Sequence, residues 1–436
     1  MTLCTSSDAV FPACKSRKIE AGFSGGEISS DAGLLLVRQV DRKVGLIKQV
    51  ARSINDPRRK KSCKHSLEHL FRQRVYGLVA GYEDLNDHND LRNDLLLQTA
   101  VGRDERLADS SVLCRLENRM DREEAVQIHK VMIEQFIASF EKPPEELILD
   151  FDATDNPVHG LQEGRFFHGY YDHYCFLPLY VFCGDQLLVA YLRESRIDGA
   201  KHAWAILSLL VKRLRQAWPK VRIIFRADGG FCRWKMLRWM DRHDVGYVVG
   251  KAKNDRLKAL GESVQQEVQT AFEETGNKQQ GFGEFLYKAA TWDRERRTII
   301  RAEYGNQGAN PRFVVTNLED EAEPLYREIY CARGEMENRI KEQMMLFSDR
   351  SSAHGWWTNQ FRLLLSGLAY ILLERLRSLA LAGTELARAD CRNLRLKLIK
   401  IGAVITRNTR RICVHLSSSY PRKDLFWQVA SHFTPG

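Results

Sequence analysis

Residues 147–154 read Leu-Ile-Leu-Asp-Phe-Asp-Ala-Thr, a short apolar stretch that contains two aspartates. The odd-numbered residues are apolar and share one face of a predicted β-strand, because side chains alternate between the two faces of a strand. The other face carries Asp150 and Asp152. The pattern predicts a strand whose end presents carboxylates.

The residues that follow predict a sheet with one crossover helix. Strands over 176–183 and 186–192 are expected to form a hairpin at Gly184-Asp185, followed by a helix over 200–218 with one apolar stripe and a strand over 221–225. That second strand runs into Asp228 and two glycines, where the backbone can turn sharply. If the crossover makes the two strands parallel neighbours, Asp152 and Asp228 lie at the same end of the sheet.

A third carboxylate, Glu337, lies on a helix predicted from about Pro324 through Leu346. At about 100° per residue, one polar arc of roughly 80° carries several side chains beside the apolar stripe. Its members are Tyr330, Arg333, Glu337 and Lys341. Carboxylate oxygens are the ligands that Mg²⁺ prefers, and cationic side chains next to them suit DNA phosphates. On a solvated helix, however, Glu337 and Lys341 would be an ordinary i,i+4 pair.

These residues, in this order, resemble the DDE transposases of bacterial insertion sequences. The matching motifs are Asp152-Ala153-Thr154, Arg226-Ala227-Asp228-Gly229-Gly230-Phe231 and Tyr330-x2-Arg333-x3-Glu337. With His159-Gly160 and residues 164–171, the chain is more narrowly similar to the thirteen-eighty insertion-sequence family. One departure is Met344, where the wider group has a lysine, while Lys341 keeps nearly the same helix face.

The resemblance implies a fold and a reaction. The fold is α/β, a ribonuclease-H-like catalytic core interrupted by a β-rich insertion and preceded by a mainly helical domain. The reaction is metal-dependent cleavage at the ends of the element followed by strand transfer into target DNA. Asp152, Asp228 and Glu337 would hold two Mg²⁺ ions, for which Mn²⁺ substitutes. Asp150 stays open as the alternative first acidic ligand, because it shares a strand face with Asp152.

Further residues are candidates for DNA contact. Tyr330, Arg333 and Lys341 would bind the DNA end, and Trp292 would stack on an extruded base unless it is an ordinary core or surface residue. The aromatic run 166–174 is expected to form a packed or DNA-lining hairpin. The partners implied are terminal inverted repeats and target DNA, held by a homodimer on paired ends.

The domain organisation follows from composition and from the resemblance. We expect a mainly helical N-terminal DNA-binding domain, a core in two parts that flank the β-rich insertion, and a basic C-terminal segment. Basic clusters over 52–74 and 388–411 support DNA contact without matching a helix-turn-helix. The expected ranges are 1–141, 142–250, 251–325, 326–385 and 386–436.

Composition excludes several other classes of protein. The chain has 436 residues, 44% hydrophobic and 28% charged, so it is long and apolar enough to bury a large core. Sixty-six Lys and Arg against 56 Asp and Glu give a net charge of +10, which favours a polyanionic partner. No apolar run approaches the roughly 20 residues of a membrane span. We expect a cytoplasmic bacterial protein that is associated with the nucleoid when it acts.

Two rival functions remain compatible with the sequence. One is a ribonuclease-H-like metal nuclease that cuts DNA without strand transfer, and the other is a catalytically inactive DNA-binding derivative. The three carboxylates argue against the inactive derivative, since binding alone does not require them.

Overall fold

The computed structural model describes residues 9–59, 61 and 63–433. The chain forms two compact units. The first unit contains the chain up to Arg119 and again from Leu368 onward, and the second contains Met120–Gly367. The first unit is therefore assembled from both ends of the chain, whereas the second is one continuous segment.

The first unit opens with short strands and continues with helices. Some of its helices begin where small polar side chains accept backbone N–H bonds: Ser66 accepts from His69, and Asp94 accepts from Leu97. The elements in chain order are β1 (Ala9–Cys14), β2 (Arg17–Ala21), β3 (Ile28–Ser29), α1 (Leu34–Val44), α2 (Leu46–Ser53), α3 (Leu67–Ala80), α4 (His88–Leu91), α5 (Leu95–Val101) and α6 (Ser110–Asn118).

The second unit begins with a capped helix and a long strand. Helix α7 (Arg122–Ile137) starts at a capping box formed by Asp121 and Glu124. The elements that follow are β4 (Glu146–Ala153), β5 (Asn156–Pro157), β6 (Phe166–His168), β7 (His173–Phe176), β8 (Leu179–Cys183), β9 (Gln186–Tyr191), α8 (Ala203–Ala217), β10 (Arg222–Ala227), α9 (Trp234–Arg242), β11 (Gly246–Lys251), α10 (Asp255–Leu260), α11 (Glu262–Thr275), β12 (Gln279–Tyr287), β13 (Arg296–Gly305), β14 (Gly308–Ala309), β15 (Arg312–Thr316), α12 (Ala322–Pro324) and α13 (Gly334–Met345).

One large mixed sheet organises this unit. Its strand order is β12-β13-β15-β11-β10-β4-β8-β9, and β14 pairs with β13. Strands β4, β10 and β11 are parallel, and the pairings further out are antiparallel. The register pairs Asp150 with Arg226, so positions 152 and 228 reach the same sheet end, as the sequence predicted. The mixed α/β class is likewise confirmed.

Both faces of the sheet are covered. Leu147, Leu149 and Phe151 of β4 lie in the main core together with the apolar stripe of α8, as their alternation predicted. On the opposite face, Leu325 and Tyr326 pack against the sheet in a second apolar cluster. This second contact holds the helical segment before Glu337 against the central strands.

The stretch 251–325 contains strands, as expected, and also two helices, α10 and α11, that were not predicted. Its strands β12, β13 and β15 extend the central sheet beyond β11.

The helical segment before Glu337 is also less regular than expected. A π-helical turn over Leu325–Tyr330 and a 3₁₀ turn over Cys331–Arg333 connect α12 to α13. The constant 100° step used in the sequence argument therefore does not hold between Tyr330 and Glu337. It does hold within α13.

A small sheet, β5-β7-β6, stands apart from the large one. The strand expected over 176–183 is split, because Pro178 lies between β7 and β8 and supplies no N–H for a ladder. Phe176 accordingly ends a strand of the small sheet, and β8 belongs to the large one.

The chain then returns to the first unit. Its strand β16 pairs with β3, matching Ala403 with Ser29, so residues from opposite ends of the sequence share a sheet. No helix within the described ranges is long and apolar enough to cross a membrane. The elements after α13 are α14 (Trp356–Leu376), whose residues up to Gly367 belong to the second unit, and then α15 (Cys391–Leu394), β16 (Ala403–Arg407), β17 (Ile412–Leu416) and α16 (Lys423–Phe433) in the first unit.

Candidate active site

Asp152 and Asp228 come together because their strands are parallel neighbours. Asp152 is the penultimate residue of β4 and keeps only 14% of its side chain exposed. Asp228 follows β10 directly, and its carboxylate accepts a hydrogen bond from the Gly230 N–H at 2.9 Å. The glycine-rich turn thus fixes the second carboxylate at the sheet end where the first one lies.

Arg333 joins the third carboxylate to the first. Its guanidinium donates to Asp152 Oδ2 at 3.2 Å and to Glu337 Oε1 at 3.3 Å. Glu337 lies in the first turn of α13 with about half of its side chain exposed. Carboxylates from a strand and from a helix, far apart in sequence, therefore share one cation.

The electrostatics of Asp152 reflect this crowding of negative charge. Burial raises the pKa of its carboxyl to about 6, Arg333 opposes that rise, and the nearby charges of Asp228 and Glu337 add to it. An additional cation would stabilise the charged form of Asp152, because its attraction offsets both the cost of burial and the repulsion by the like charges.

The donor set suits a hard divalent cation, since all three side chains offer carboxylate oxygens. As they stand, no three His, Cys, Asp or Glu side chains among the described residues lie close enough together to hold an ion. The Arg333 guanidinium occupies the space between Asp152 and Glu337. The residues fit a divalent cation by chemistry, and in this structure Arg333 bridges two of them.

Asp150 has a different environment from Asp152. It is 2% exposed and forms a two-point ion pair with the Arg226 guanidinium, whose Nη2 lies 2.6 Å from Asp150 Oδ2. Arg226 also donates to the backbone carbonyl of Ile329 at 2.6 Å. Both oxygens of Asp150 are thus engaged within the protein, and Arg226 connects β4 to the helical segment that leads to Arg333.

Comparison with known proteins places the chain in a family. Residues 11–435 match the family described as Transposase DDE domain group 1. The chain belongs to this family. The resemblance to DDE transposases is therefore confirmed, and the chain is a DNA transposase by family.

Comparisons with curated proteins and with solved structures add little to this assignment. No curated protein matches the sequence. Among solved structures, the transposase is similar to a piggyBac transposase synaptic complex with hairpin DNA, with 12% sequence identity and a TM-score of 0.41. That match covers 85% of this chain and 80% of the other.

Tyr330 lies beside the loop that carries Asp228. A methyl group placed on Gly250 of β11 would lie 2.5 Å from the Tyr330 hydroxyl and 2.9 Å from the Gly229 nitrogen. Burial raises the pKa of Tyr330, and its ring packs at a tilt of 49° against that of Tyr326, with 5.4 Å between ring centroids. The structure therefore brings Tyr330 to the same edge as Asp228, in close contact with the backbone there.

Two predicted DNA contacts have very different surroundings. Lys341 is exposed on α13, one turn beyond Glu337. Trp292 is only 5% exposed and packs on Tyr287 in the core, with ring centroids 5.4 Å apart. Of the two alternatives left open for Trp292, this burial favours the ordinary core residue, because a base needs an open ring face to stack on.

Part of the basic stretch 52–74 is engaged in ion pairs within the first unit. Arg72 pairs with Asp41 at 2.9 Å, and Arg74 forms a buried pair with Glu117 at 2.8 Å. These arginines stabilise the helical unit, so a count of positive charges along the sequence overstates the charge offered to a polyanion.

The structural role of Arg226 was not predicted from the sequence, in which Arg226 stands out only as part of the motif that contains Asp228. The available signal was its register: a parallel neighbour of β4 that places Asp228 opposite Asp152 also places Arg226 opposite Asp150.

Proposed function

We propose that the transposase cuts DNA at the ends of an insertion sequence and joins the freed 3′-hydroxyl to target DNA, using Asp152, Asp228 and Glu337. The observation that carries the proposal is that Arg333 bridges Asp152 and Glu337 at the sheet end where Asp228 also lies. We assign the chain to the thirteen-eighty insertion-sequence family on the motifs given above.

The three carboxylates would hold divalent cations, two Mg²⁺ ions in our proposal, with Mn²⁺ as a substitute. Such ions, when bound, activate the attacking oxygen and stabilise the leaving oxygen at phosphorus. Asp228 is held in place by the Gly230 N–H, and Asp152 by the N–H of Ala153 at 2.9 Å. These hydrogen bonds orient the carboxylates of Asp152 and Asp228 in the absence of metal and DNA.

The cationic and phenolic groups have positioning roles. Arg333 would leave the carboxylates to bind a DNA phosphate, as a guanidinium suits phosphate oxygens. Lys341, exposed one turn further along α13, would contact a second phosphate. Tyr330 would stack on or hydrogen-bond the DNA end from its place beside the Asp228 loop.

The fold that we propose for the core is ribonuclease-H-like. Support comes from the strand order β9-β8-β4-β10-β11, in which the first two strands form an antiparallel hairpin and the last three are parallel. The strands of 251–325 would be the β-rich insertion, sharing the edge of that sheet.

We further propose the assembly and location that the reaction requires. Two element ends must be joined together, so a homodimer on paired ends is the natural assembly, acting on terminal inverted repeats in a bacterial cytoplasm at the nucleoid. The DNA-binding range 1–141, the core parts 142–250 and 326–385, and the basic segment 386–436 complete the proposed organisation.

The test uses DNA carrying the inverted repeats that flank the gene. Purified full-length protein with Mg²⁺ is expected to cut at the repeat ends and to join pre-cut ends to a target plasmid. Asp152→Asn, Asp228→Asn and Glu337→Gln are each expected to lower both rates by at least about a hundredfold while DNA binding persists.

Each rival function predicts a distinct outcome. Cutting without joined products would favour the metal nuclease, and binding without cutting in Mg²⁺ or Mn²⁺ would favour the inactive derivative. Cleavage that survives Asp152→Asn in a folded protein would overturn the assignment of the first ligand.

A further inference from the structure

The hairpin formed by β6 and β7 exposes aromatic side chains that the proposed chemistry does not use. Phe167, Tyr170 and Tyr174 are 52%, 84% and 47% exposed. Phe167 and Tyr174 are cross-strand partners whose rings meet edge to face, with 5.7 Å between centroids. We call residues 166–174 the aromatic hairpin. Clustered exposed aromatics indicate a surface that binds something.

Cationic groups accompany these rings. The Arg165 guanidinium lies 4.5 Å from the Tyr174 ring centroid, and that of Arg196 lies 4.1 Å from the ring centroid of Phe166. Flat aromatic faces beside guanidinium groups match a ligand that has both aromatic rings and negative charge. Nucleotides have both.

The aromatic hairpin lies next to the proposed catalytic edge. His173 pairs with Asp155 at 2.9 Å, and Asp155 is three residues beyond Asp152. Tyr171 also lies near Asp155 and Asp152. Burial, and then the charges of these two carboxylates, raise the pKa of the Tyr171 hydroxyl to about 12. A strand bound on these rings would thus be near the carboxylates.

The backbone of the hairpin is held in place. Cys175 and Phe176 at the end of β7 are fully buried, and the Ser195 hydroxyl donates to the Phe166 carbonyl at 2.8 Å. The exposed rings therefore project from a fixed support, which lowers the entropy cost of binding.

We propose that the aromatic hairpin binds unpaired nucleotides of DNA by stacking on Phe167, Tyr170 and Tyr174. Bases inside a duplex are already stacked on one another and offer no free face, so the ligand is a single-stranded segment. That this segment belongs to a DNA end near the cleaved bond rests on the proposed function.

The experiment measures binding of short single-stranded and duplex oligonucleotides of the same sequence by fluorescence anisotropy in EDTA. The triple substitution Phe167→Ala, Tyr170→Ala and Tyr174→Ala is expected to weaken single-strand binding by at least about tenfold. Duplex affinity is expected to change less than threefold. Restoring aromatic faces with Phe167→Tyr, Tyr170→Phe and Tyr174→Phe is expected to keep wild-type affinity.

The matched control is Trp204→Ala on α8, which removes an aromatic ring that is 53% exposed elsewhere in the same unit. Equal losses in the control and the triple variant, unchanged single-strand binding, or a change confined to oligomeric state would each overturn the proposal. The last outcome would identify a protein–protein surface. Because EDTA prevents metal-dependent cleavage, failure of the catalytic assignment leaves this result unaffected.

Discussion

Two aspartates on one strand face, Asp150 and Asp152, differ in their surroundings. The Arg226 guanidinium engages both oxygens of Asp150 in the interior. Asp152 instead shares Arg333 with Glu337 and lies close to Asp228. An internal ion pair is a structural role, whereas clustered like charges suit a cation. This difference favours Asp152 over Asp150 as the proposed first ligand.

The pH dependence of stability should reveal this crowding at Asp152. Burial raises the pKa of Asp152 to about 6, above the usual value of about 3.9. The folded state therefore binds an extra proton between these pH values, and the associated stability is complete below pH 4 and lost as the pH rises through 6. Relative to wild type, Asp152→Asn should gain about 2 kcal/mol between pH 4.5 and 7.5.

Urea unfolding in EDTA at the two pH values measures this gain. Asp152→Asn lacks the titrating carboxyl group. The pH dependence of its free energy of unfolding is therefore the control for the contribution of all other carboxylates. A difference between the two proteins that does not vary with pH would contradict the raised pKa.

Asp150→Asn is expected to destabilise the protein rather than act on chemistry alone. The substitution leaves the buried Arg226 charge without its partner, which costs about 3 to 5 kcal/mol in free energy of unfolding. The matched control is Asp320→Asn, since Asp320 pairs with Arg222 of the same strand at 3.7 Å on the surface. That change should cost under about 1 kcal/mol.

Urea unfolding again supplies the measurement. Replacing the whole ion pair with Asp150→Leu and Arg226→Met should recover much of the stability, because no charge is then left unpaired in the interior. If the two single aspartate variants unfold at the same urea concentration, the Asp150–Arg226 pair has no special structural role.

Among the elements, β11 shows how closely the backbone is packed at the proposed site. Gly250 near its end lies against the Tyr330 hydroxyl and the Gly229 nitrogen, so one strand contacts both the helical segment and the Asp228 loop. Only a residue without Cβ allows both contacts.

Gly250→Ala should therefore impair the reaction more than the fold. The added methyl would lie 2.5 Å from the Tyr330 hydroxyl and would displace groups beside Asp228. Shifts of about 1 Å can lower a rate by about a hundredfold, so cleavage should fall at least tenfold while DNA binding persists. Gly199→Ala, with open space at its Cβ position, is the control.

A double variant locates the cause. Adding Tyr330→Phe to Gly250→Ala removes the hydroxyl oxygen that would clash with the new methyl group. The double variant should therefore have a higher thermal stability than Gly250→Ala alone. Cleavage at the wild-type rate by Gly250→Ala would show that this packing does not govern the site.

The sequence predicted elements whose signals are local. The alternation in β4, the turn at Gly184-Asp185 and the apolar stripe of α8 each lie within a short window, and each was confirmed. Helix α11 was missed although Val264, Val268 and Phe272 recur at helical spacing. The expectation of a β-rich segment there outweighed the spacing.

Features that depend on distant residues were not predictable in this way. The pairing of β15 with β11 joins residues 62 to 68 positions apart, and no local pattern encodes it. The same holds for Arg333 between two carboxylates, since the side chain must be placed by both a strand and a helix. Sequence order identified the candidate ligands, and their common cation appeared only in three dimensions.

On the scale of the whole molecule, the first unit consists of two segments of the chain, and the segment from Leu368 onward completes its core. The Ala32 N–H donates to the Ile401 carbonyl and the Gly33 N–H to the Ile399 carbonyl, both at 3.0 Å. Leu398 and Ile399 are fully buried there. The residues after 386, expected as a basic segment, thus supply core and backbone bonds to the helical N-terminal part.

Gly33→Ala tests this closure. A Cβ atom at Gly33 would lie 1.9 Å from the Leu398 carbonyl oxygen and 2.5 Å from the Ile399 Cα, both backbone atoms that have little room to move. The change should lower the free energy of unfolding of the first unit by about 3 kcal/mol. Gly402→Ala is the matched control, because it lies on the same returning segment with nothing within 4 Å of its Cβ position.

Amide hydrogen exchange read by mass spectrometry distinguishes the two units in the intact protein. In Gly33→Ala, faster exchange should be concentrated in α1, β16 and the residues between α15 and β16, because their shared backbone bonds open together. Peptides from β4 and β10 should exchange at the wild-type rate. Equal protection of the returning segment in Gly33→Ala and Gly402→Ala would show that the two ends of the chain do not depend on this contact.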